Sequence, residues 1–236
     1  MIQKNSPNYR WYILGLAMLA AALIPGASRL CMPVLFQEIA GKLHLNLVSI
    51  GTVWGMDPLA GIFIGLPAGL LADRFGIKRT LTVICILAGI FGALRGFSAN
   101  FLSLAATMFL FGLLSASTPN TVAKVTALWF SGQRLALANA LINVAWSLGS
   151  MSATMFSATA ISPWLGSWRG VMFFWAVPCT ALGLVWLFTG REPAKNEAPE
   201  AQAVTVPFRE ALSQVAHIKD VWIIGLLTFA HFGATQ

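Results

Sequence analysis

Six long apolar runs limit most strongly what this chain of 236 residues can fold into. They lie at about 11–36, 47–72, 80–97, 101–128, 135–160 and 170–189, and a seventh begins near Val221. A helix needs about 20 apolar residues to cross a bilayer, so each complete run is long enough. The chain is 57% hydrophobic and 10% charged, and its mean hydropathy is +0.75, outside the usual range of soluble domains. The sequence therefore predicts an all-α membrane protein with six complete spans, numbered here 1 to 6.

The positive charges between the spans predict how the protein lies in the membrane, because cytoplasmic loops are enriched in Lys and Arg. With the N-terminus inside, the cytoplasmic segments hold most cations: Lys4, Arg10, Arg74, Lys78, Arg79, Arg134, Arg191, Lys195, Arg209 and Lys219. The outer side holds only Lys42, Arg95 and Arg169. We expect Arg95 to extend to the outer headgroups and Lys124 to the cytoplasmic ones. The cations form no basic stripe, so the pI of 9.8 indicates no nucleic-acid partner.

A charged hairpin marked by glycines separates spans 2 and 3. It reads Gly69-Leu70-Leu71-Ala72-Asp73-Arg74-Phe75-Gly76-Ile77-Lys78-Arg79. This pattern resembles the loop between helices 2 and 3 of the major facilitator superfamily, and it lacks only the basic residue often found where Ile77 stands. Trp129-Phe130 with Gln133-Arg134 is similar to the helix 4–5 loop of organic-anion members, and Trp168-Arg169-Gly170 is similar to their entry into helix 6.

The resemblance implies a secondary transporter that moves a small solute by alternating access, without a cofactor and without enzymatic activity. It implies that the hairpin forms a cytoplasmic latch from Gly69, Asp73, Arg74, Gly76, Lys78 and Arg79. It also implies a multi-pass protein of the bacterial inner membrane and a partner half of six more helices. Residues 1–190 would then be an N-terminal bundle, 191–219 a cytoplasmic linker with an amphipathic helix after Pro207, and 220–236 the start of span 7. Such a half is expected to insert but to transport nothing without its missing C-terminal half.

Two departures from the family pattern bear on the mechanism. Many proton-coupled members carry an arginine four residues before a helix 4 glycine, and here that position is Met108, before Gly112. The run from Ala140 to Thr154 lacks the proline of the drug-antiporter signature, which argues against drug efflux.

Span 2 has a bare face made by glycines at four-residue spacing: Gly61, Gly65 and Gly69. Such a face allows a neighbouring helix to pack closely, and it would also serve as a smooth seam for rocking.

Arg29 is the charged residue that most needs an explanation, because a charge inside a span costs at least about 2.5–3.5 kcal/mol. It follows Pro25-Gly26, a pair expected to loosen or kink span 1. Its guanidinium could bind a carboxylate or phosphate with two parallel hydrogen bonds. The alternative is a structural cation that pairs with another helix or extends outward.

Asp57 is the only acid in a complete predicted span. Arg29 lies fourteen residues before Leu43 and Asp57 fourteen after it, so the two have the same depth on antiparallel helices. The pair is either a static ion pair or a switch that couples substrate binding to a proton.

Asn120 in span 4 and Asn143 with Trp146 in span 5 are the other candidates for substrate contact, since both asparagines lie near mid-depth. Hydrogen bonding between helices is the alternative for each. The three cysteines are widely spaced, which indicates packing residues: Cys31, Cys85 and Cys179. The sequence holds no metal cluster, nucleophile arrangement or phosphate-binding loop.

The intramembrane arginine and the family resemblance together predict a transporter of organic or inorganic anions. Efflux of hydrophobic solutes and a non-transporting membrane sensor or half-module are the alternatives.

Overall fold

The computed structural model describes residues 9–192, so the predicted linker, its amphipathic helix and the start of span 7 lie outside the described part. Six helices in this part are long and apolar enough to cross a membrane. Their bounds are Tyr9–Leu43 for span 1, Leu47–Phe75 for span 2, Ile77–Gly96 for span 3, Phe101–Trp129 for span 4, Gln133–Leu165 for span 5 and Trp168–Thr189 for span 6. The prediction of an all-α membrane protein with six spans is confirmed.

Span 1 is continuous but irregular. It begins as an α-helix over Tyr9–Ala21, continues as a π-helix over Ala22–Ser28 and as a 3-10 turn over Pro33–Leu35, and ends as the α-helix Phe36–Leu43. Pro25 lies inside the π-helix, where its missing N–H removes one helical hydrogen bond. The helix nevertheless continues past the predicted end at residue 36, because Ile39 packs in the core beside Met32 and Leu35. The predicted span was therefore too short.

Span 5 is irregular in the same way. Its α-helix over Gln133–Phe156 passes into a π-helical stretch over Ser157–Ile161 and one further turn over Ser162–Leu165. The irregular part of span 1 packs against this helix at close range. A Cβ on Gly149 would collide with the carbonyl of Ala22, so only glycine permits this approach.

The spans pack as a bundle in which chain neighbours are not always neighbours in space. Span 2 packs along span 4, span 3 packs along span 6 and also contacts span 4, and span 1 crosses span 5. All three cysteines are buried in this packing, as predicted.

The turns between the spans lie at two ends of the bundle. Turns 75–77 and 129–133 lie with residues 189–192 at one end, called the hairpin end. The turns 43–47, 96–101 and 165–168 lie at the other.

The turns at the end opposite the hairpin are closed by side-chain hydrogen bonds. Asn46 caps span 2 by accepting from the Ser49 amide at 2.8 Å, and Asn100 with Ser103 forms a capping box at the start of span 4. Glu38, near the end of span 1, accepts from Ser162 Oγ at 2.7 Å and from the Trp168 amide at 2.8 Å.

Glu38 also corrects an expectation about Asp57. Because span 1 extends beyond its predicted end, it includes Glu38, so Asp57 is not the only acid within a span and that expectation was wrong.

Candidate functional site

Arg29 and Asp57 form an ion pair between spans 1 and 2. Arg29 Nε lies 2.7 Å from Asp57 Oδ2, so the matched depths of the two residues did predict the contact. The N–H of Arg29 Nε is not aligned with the oxygen, so the contact is an ion pair and not a directed hydrogen bond. The exposed fractions of the two side chains differ, at 29% for Arg29 and 5% for Asp57. The carboxylate is therefore enclosed, while part of the guanidinium remains accessible.

The geometry leaves the Arg29 fork available to a ligand. Its two terminal nitrogens make no hydrogen bond to any residue in the described range 9–192, and they keep contact with solvent space. The guanidinium carbon lies 5.6 Å from the centre of the Trp54 ring, which in turn packs edge-on against Phe36. This cation–π contact restricts how far the side chain can move. Arg29 is thus held at its base, and its donor face is open.

Asn143 and Trp146 line one cavity between spans 1, 4 and 5. The cavity has a volume of about 440 Å³, and Pro25, Pro119 and Asn139 also contribute to its wall. Both predicted residues are exposed in the described chain. The structure therefore brings these two candidates together.

The other two substrate candidates are not in that wall. Arg29 lies one turn beyond Pro25, and Asn120 follows Pro119 directly, yet neither side chain lines the cavity. Asn120 is exposed. The predicted site therefore divides into an Arg29–Asp57 pair and an Asn143–Trp146 cavity that share the Pro25 segment of span 1.

Asn139 is a polar residue of this cavity that sequence reasoning missed. Its Oδ1 accepts a hydrogen bond from Thr126 Oγ1 at 2.7 Å, which ties span 5 to span 4. Asn139 precedes Asn143 by four residues, so the helical spacing of the two asparagines could have indicated a shared face.

A second cavity, of about 660 Å³ and lined mainly by charged residues, lies at the hairpin between spans 2 and 3. Five of the six predicted latch residues line it together with Glu192: Asp73, Arg74, Gly76, Lys78 and Arg79. Gly76 adopts a left-handed φ of 82°, which other residues rarely accept. A Cβ there would also collide with the Glu192 carboxylate, so the segment that follows span 6 packs directly on this turn.

Lys124 of span 4 is the partner of the hairpin. Its ammonium donates to Asp73 Oδ1 at 2.7 Å and to the Gly69 carbonyl at 2.6 Å. The expectation that Lys124 extends to the headgroups is therefore wrong, because two oxygens of span 2 lie within its reach. Gly69, the sixth predicted latch residue, contacts Lys124 through its backbone carbonyl.

The glycine face of span 2 is not a tightly packed seam within the described chain. A Cβ on Gly65 would meet nothing within 4 Å, and one on Gly61 would meet only Ala116, at 3.5 Å. The close approach occurs instead at Gly112 of span 4, where a Cβ would lie 2.8 Å from the Cα of Asp57. Gly112 thus sets the distance between spans 2 and 4 at the depth of the Arg29–Asp57 pair.

Arg95 differs most from its prediction. It does not extend to the outer headgroups, because its side chain is fully buried between spans 1, 3 and 4. One terminal nitrogen donates to Ser28 O at 2.8 Å and to Ser28 Oγ at 3.0 Å. Its position in the last turn of span 3 alone suggested a place at the membrane surface. Span 1 and the Met108–Phe111 turn of span 4 cover this end, which charge counting could not show.

The fold and the site together define a polytopic helical membrane protein with ionic and polar groups between its spans. Comparison with known proteins identifies the class: the chain belongs to the Major Facilitator Superfamily, whose pattern matches residues 17–236.

The chain is similar to several curated bacterial transporters. It is 27% identical over 189 residues to the probable galactarate/D-glucarate transporter GarP of Escherichia coli strain K12, covering 78% of this chain and 40% of that protein. It is 29% identical over 201 residues to the probable galactarate/D-glucarate transporter GudP of Bacillus subtilis strain 168, covering 80% and 42%. It is 26% identical over 229 residues to the 4-hydroxybenzoate transporter PcaK of Pseudomonas aeruginosa, covering 92% and 50%. The chain thus spans two fifths to one half of these relatives.

The fold also matches a solved structure. A bacterial homologue of the human lysosomal transporter Spinster, in its inward-facing and unoccupied conformation, superposes with a TM-score of 0.75 at 20% identity. The match covers 94% of this chain and 52% of that one. At this identity the likeness concerns the fold alone.

Proposed function

We propose that this protein is a secondary transporter of small organic anions that works by alternating access, and that Arg29 binds a carboxylate of the substrate. The observation that carries the proposal is the accessible fork of Arg29, whose base is held by Asp57 while its terminal nitrogens have no described partner. An arginine fork matches a carboxylate with two parallel hydrogen bonds. The relatives named for galactarate, D-glucarate and 4-hydroxybenzoate, all carboxylates, support this substrate class.

The Asn143–Trp146 cavity suits the remainder of such a substrate. Its wall combines two asparagine side chains with an aromatic ring and aliphatic groups. Amides can hydrogen-bond hydroxyl groups, and the indole can cover an apolar face. Because Pro25 lies in this wall and Arg29 follows one turn later, one elongated acid could contact both places.

Asp57 provides a route for coupling to protons. A substrate carboxylate that engages Arg29 competes with Asp57 for the same cation. A buried carboxylate that loses its cation is protonated more readily. Asp57 would then take up a proton as the anion binds, which would not require the helix 4 arginine that Met108 replaces.

The hairpin latch is the proposed conformational gate. The Lys124–Asp73 contact joins span 4 to the start of the turn, and Glu192 packs on Gly76 at its end. Both contacts can form and break without disturbing the core, since the Asp73 side chain is 69% exposed and Glu192 is exposed as well. The orientation of this end toward the cytoplasm follows from the loop charges and belongs to the same proposal.

Uptake by the full-length protein in proteoliposomes tests the proposal. Radiolabelled D-glucarate is compared with neutral glucose, and the parent protein with Arg29→Lys. We expect uptake of the acid only, and a loss of about tenfold or more in apparent affinity for Arg29→Lys, because an ammonium cannot reproduce the fork. Arg169→Lys is the matched control, since Arg169 donates to the Ser98 carbonyl at the end opposite the hairpin.

Two outcomes would contradict the proposal. Equal affinity in the parent and in Arg29→Lys would make Arg29 a structural cation, and the anion assignment would fall. Export of hydrophobic cations in place of uptake of acids would favour the efflux alternative.

A further inference from the structure

Span 1 contains a broken hydrogen-bond ladder immediately beside Arg29. Pro33 has no amide hydrogen, so it cannot donate to the Arg29 carbonyl four residues earlier. The Met32 amide donates to that carbonyl instead, at 3.4 Å. In a regular α-helix the Met32 amide would donate to the Ser28 carbonyl, four residues earlier. The shift therefore leaves the Ser28 carbonyl, at the end of the π-helix, in need of another donor.

Arg95 supplies that donor from span 3. Its Nη2 lies 2.8 Å from Ser28 O and 3.0 Å from Ser28 Oγ. The thiol of Cys31 approaches the same carbonyl at 3.3 Å. A charged donor makes a stronger hydrogen bond than a neutral one, and burial strengthens it further. At the joint between the π-helix and the 3-10 turn, the Ser28 carbonyl is thus bonded chiefly by a residue of another span.

The surroundings of Arg95 hold its guanidinium in this position. The guanidinium carbon lies 4.0 Å from the centre of the Phe111 ring, and Nη1 lies 3.9 Å from Met108 Sδ. Gly92 borders the guanidinium, and a Cβ there would lie 3.6 Å from Nη2, at ordinary van der Waals distance.

A simple packing role does not account for this arrangement. A fully buried cation carries a desolvation penalty, and within residues 9–192 no carboxylate lies at ion-pair distance from Arg95. An apolar side chain of similar length would fill the same space without that penalty. What it could not do is bind the Ser28 carbonyl.

We propose that Arg95 is a positioning residue of the anion site, and that it sets the direction in which Arg29 projects. The Ser28 carbonyl belongs to the planar peptide group that ends at the Arg29 nitrogen, so holding this oxygen orients the Arg29 backbone. Asp57 holds the side chain at its Nε. Arg29 is therefore fixed at two points, one from span 3 and one from span 2. The effect on substrate affinity rests on the proposed function, whereas the control of the joint does not.

Cysteine alkylation tests the control of the joint without any transport assay. Cys31 is fully buried at the joint, and Cys85 is equally buried in span 3 among other residues. Single-cysteine proteins that keep one or the other are treated with N-ethylmaleimide in lipid, and labelling is followed by mass spectrometry. We expect Arg95→Met to speed labelling of Cys31 about tenfold, by local opening, while Cys85 labelling stays unchanged. Arg95→Lys, which keeps a charged donor, restores part of the protection.

Three results would overturn the inference. Cys31 could remain as protected in Arg95→Met as in the parent. Labelling of Cys31 and Cys85 could increase together, which would indicate general loosening. Arg169→Met, which removes an arginine that binds another carbonyl, could expose Cys31 to the same degree.

Binding of D-glucarate then tests the effect on the site. We expect Arg95→Met to weaken binding about tenfold or more while Arg29 is still present, and Arg169→Met to leave binding unchanged. Equal affinity in Arg95→Met and the parent overturns the positioning role. If the parent binds no organic acid, the proposed function fails, and the Cys31 labelling still decides whether Arg95 holds the joint.

Discussion

Asp57 presents only one of its two carboxylate oxygens to Arg29. Oδ2 lies 2.7 Å from Arg29 Nε, whereas Oδ1 is buried without a hydrogen-bond partner in the described part of the chain. A buried carboxylate oxygen without a partner carries a desolvation cost, which persists only where other contacts hold the group in place. Gly112 provides such a constraint, because span 4 packs directly on the backbone of Asp57. The ion pair is therefore incompletely satisfied, which is compatible with the proposed exchange of Arg29 between Asp57 and a substrate.

The first prediction concerns the pH dependence of binding. In the parent protein the affinity for D-glucarate should rise as pH falls, because protonation of Asp57 frees Arg29 for the substrate. Asp57→Asn should bind the acid at all pH values with little change in affinity. Isothermal titration across a pH series measures both. Glu38→Gln is the control, since Glu38 binds Ser162 and Trp168 far from the pair and should keep the parent profile.

The second prediction separates the stability of the hairpin contact from its role in gating. The Asp73 side chain of the Asp73–Lys124 pair is largely exposed, so Asp73→Asn should lower the free energy of unfolding by less than about 1 kcal/mol. Under the proposed gating role the contact forms in only one conformational state, so uptake should nevertheless slow sharply. Lys124→Gln should act alike, and the double variant should be no worse than either single one. Normal uptake in Asp73→Asn would refute the latch.

The third prediction concerns the distance between spans 2 and 4. Gly112→Ala places a methyl group 2.8 Å from the Cα of Asp57 and 3.0 Å from the Cβ of Ala60, so backbone must move. Overpacking of this kind costs about 1–3 kcal/mol. Gly65→Ala is the matched control on span 2, since its methyl group meets nothing within 4 Å. Thermal unfolding in detergent should show a lower midpoint for Gly112→Ala only.

The fourth prediction concerns the contact between span 1 and the start of span 6. Glu38→Ala leaves Ser162 Oγ and the Trp168 amide without their acceptor. Loss of these hydrogen bonds should lower the free energy of unfolding by about 1–3 kcal/mol. Lys42→Ala, on the same helix but exposed, should change it little. Equal stability of the two variants would show that Glu38 is not needed to hold this end together.

Much of the architecture could be predicted because it depends on local properties of the chain. Six apolar runs give six spans, since backbone groups in a bilayer must be hydrogen-bonded inside the protein and a helix bonds most of them locally. Depth could also be counted along antiparallel helices, which is why Arg29 and Asp57 were expected at one level. The hairpin residues lie close together for the same reason, as all but Gly69 fall within seven positions of one turn.

The faces of the helices could not be predicted in this way. A helix surrounded by lipid and protein is apolar on all sides, so its sequence does not distinguish the side that meets lipid from the side that meets another helix. Arg95 was therefore expected at the surface but is fully buried, and Lys124 was expected at the headgroups but binds Asp73. The division of Arg29 from Asn143 and Trp146 has the same origin.

The amino-acid sequence by itself determined the number of spans, their depth, the charged hairpin and the depth at which Arg29 meets Asp57, because hydrophobic length and position along a helix are local quantities. Only the tertiary structure decided which groups satisfy one another across the bundle. The pairing of Arg95 with the Ser28 carbonyl depends on a proline in span 1, an arginine in span 3 and the packing of Phe111 of span 4 against the guanidinium. No single segment carries that information, because a buried polar group takes whichever partner the packing of other helices brings within hydrogen-bond distance.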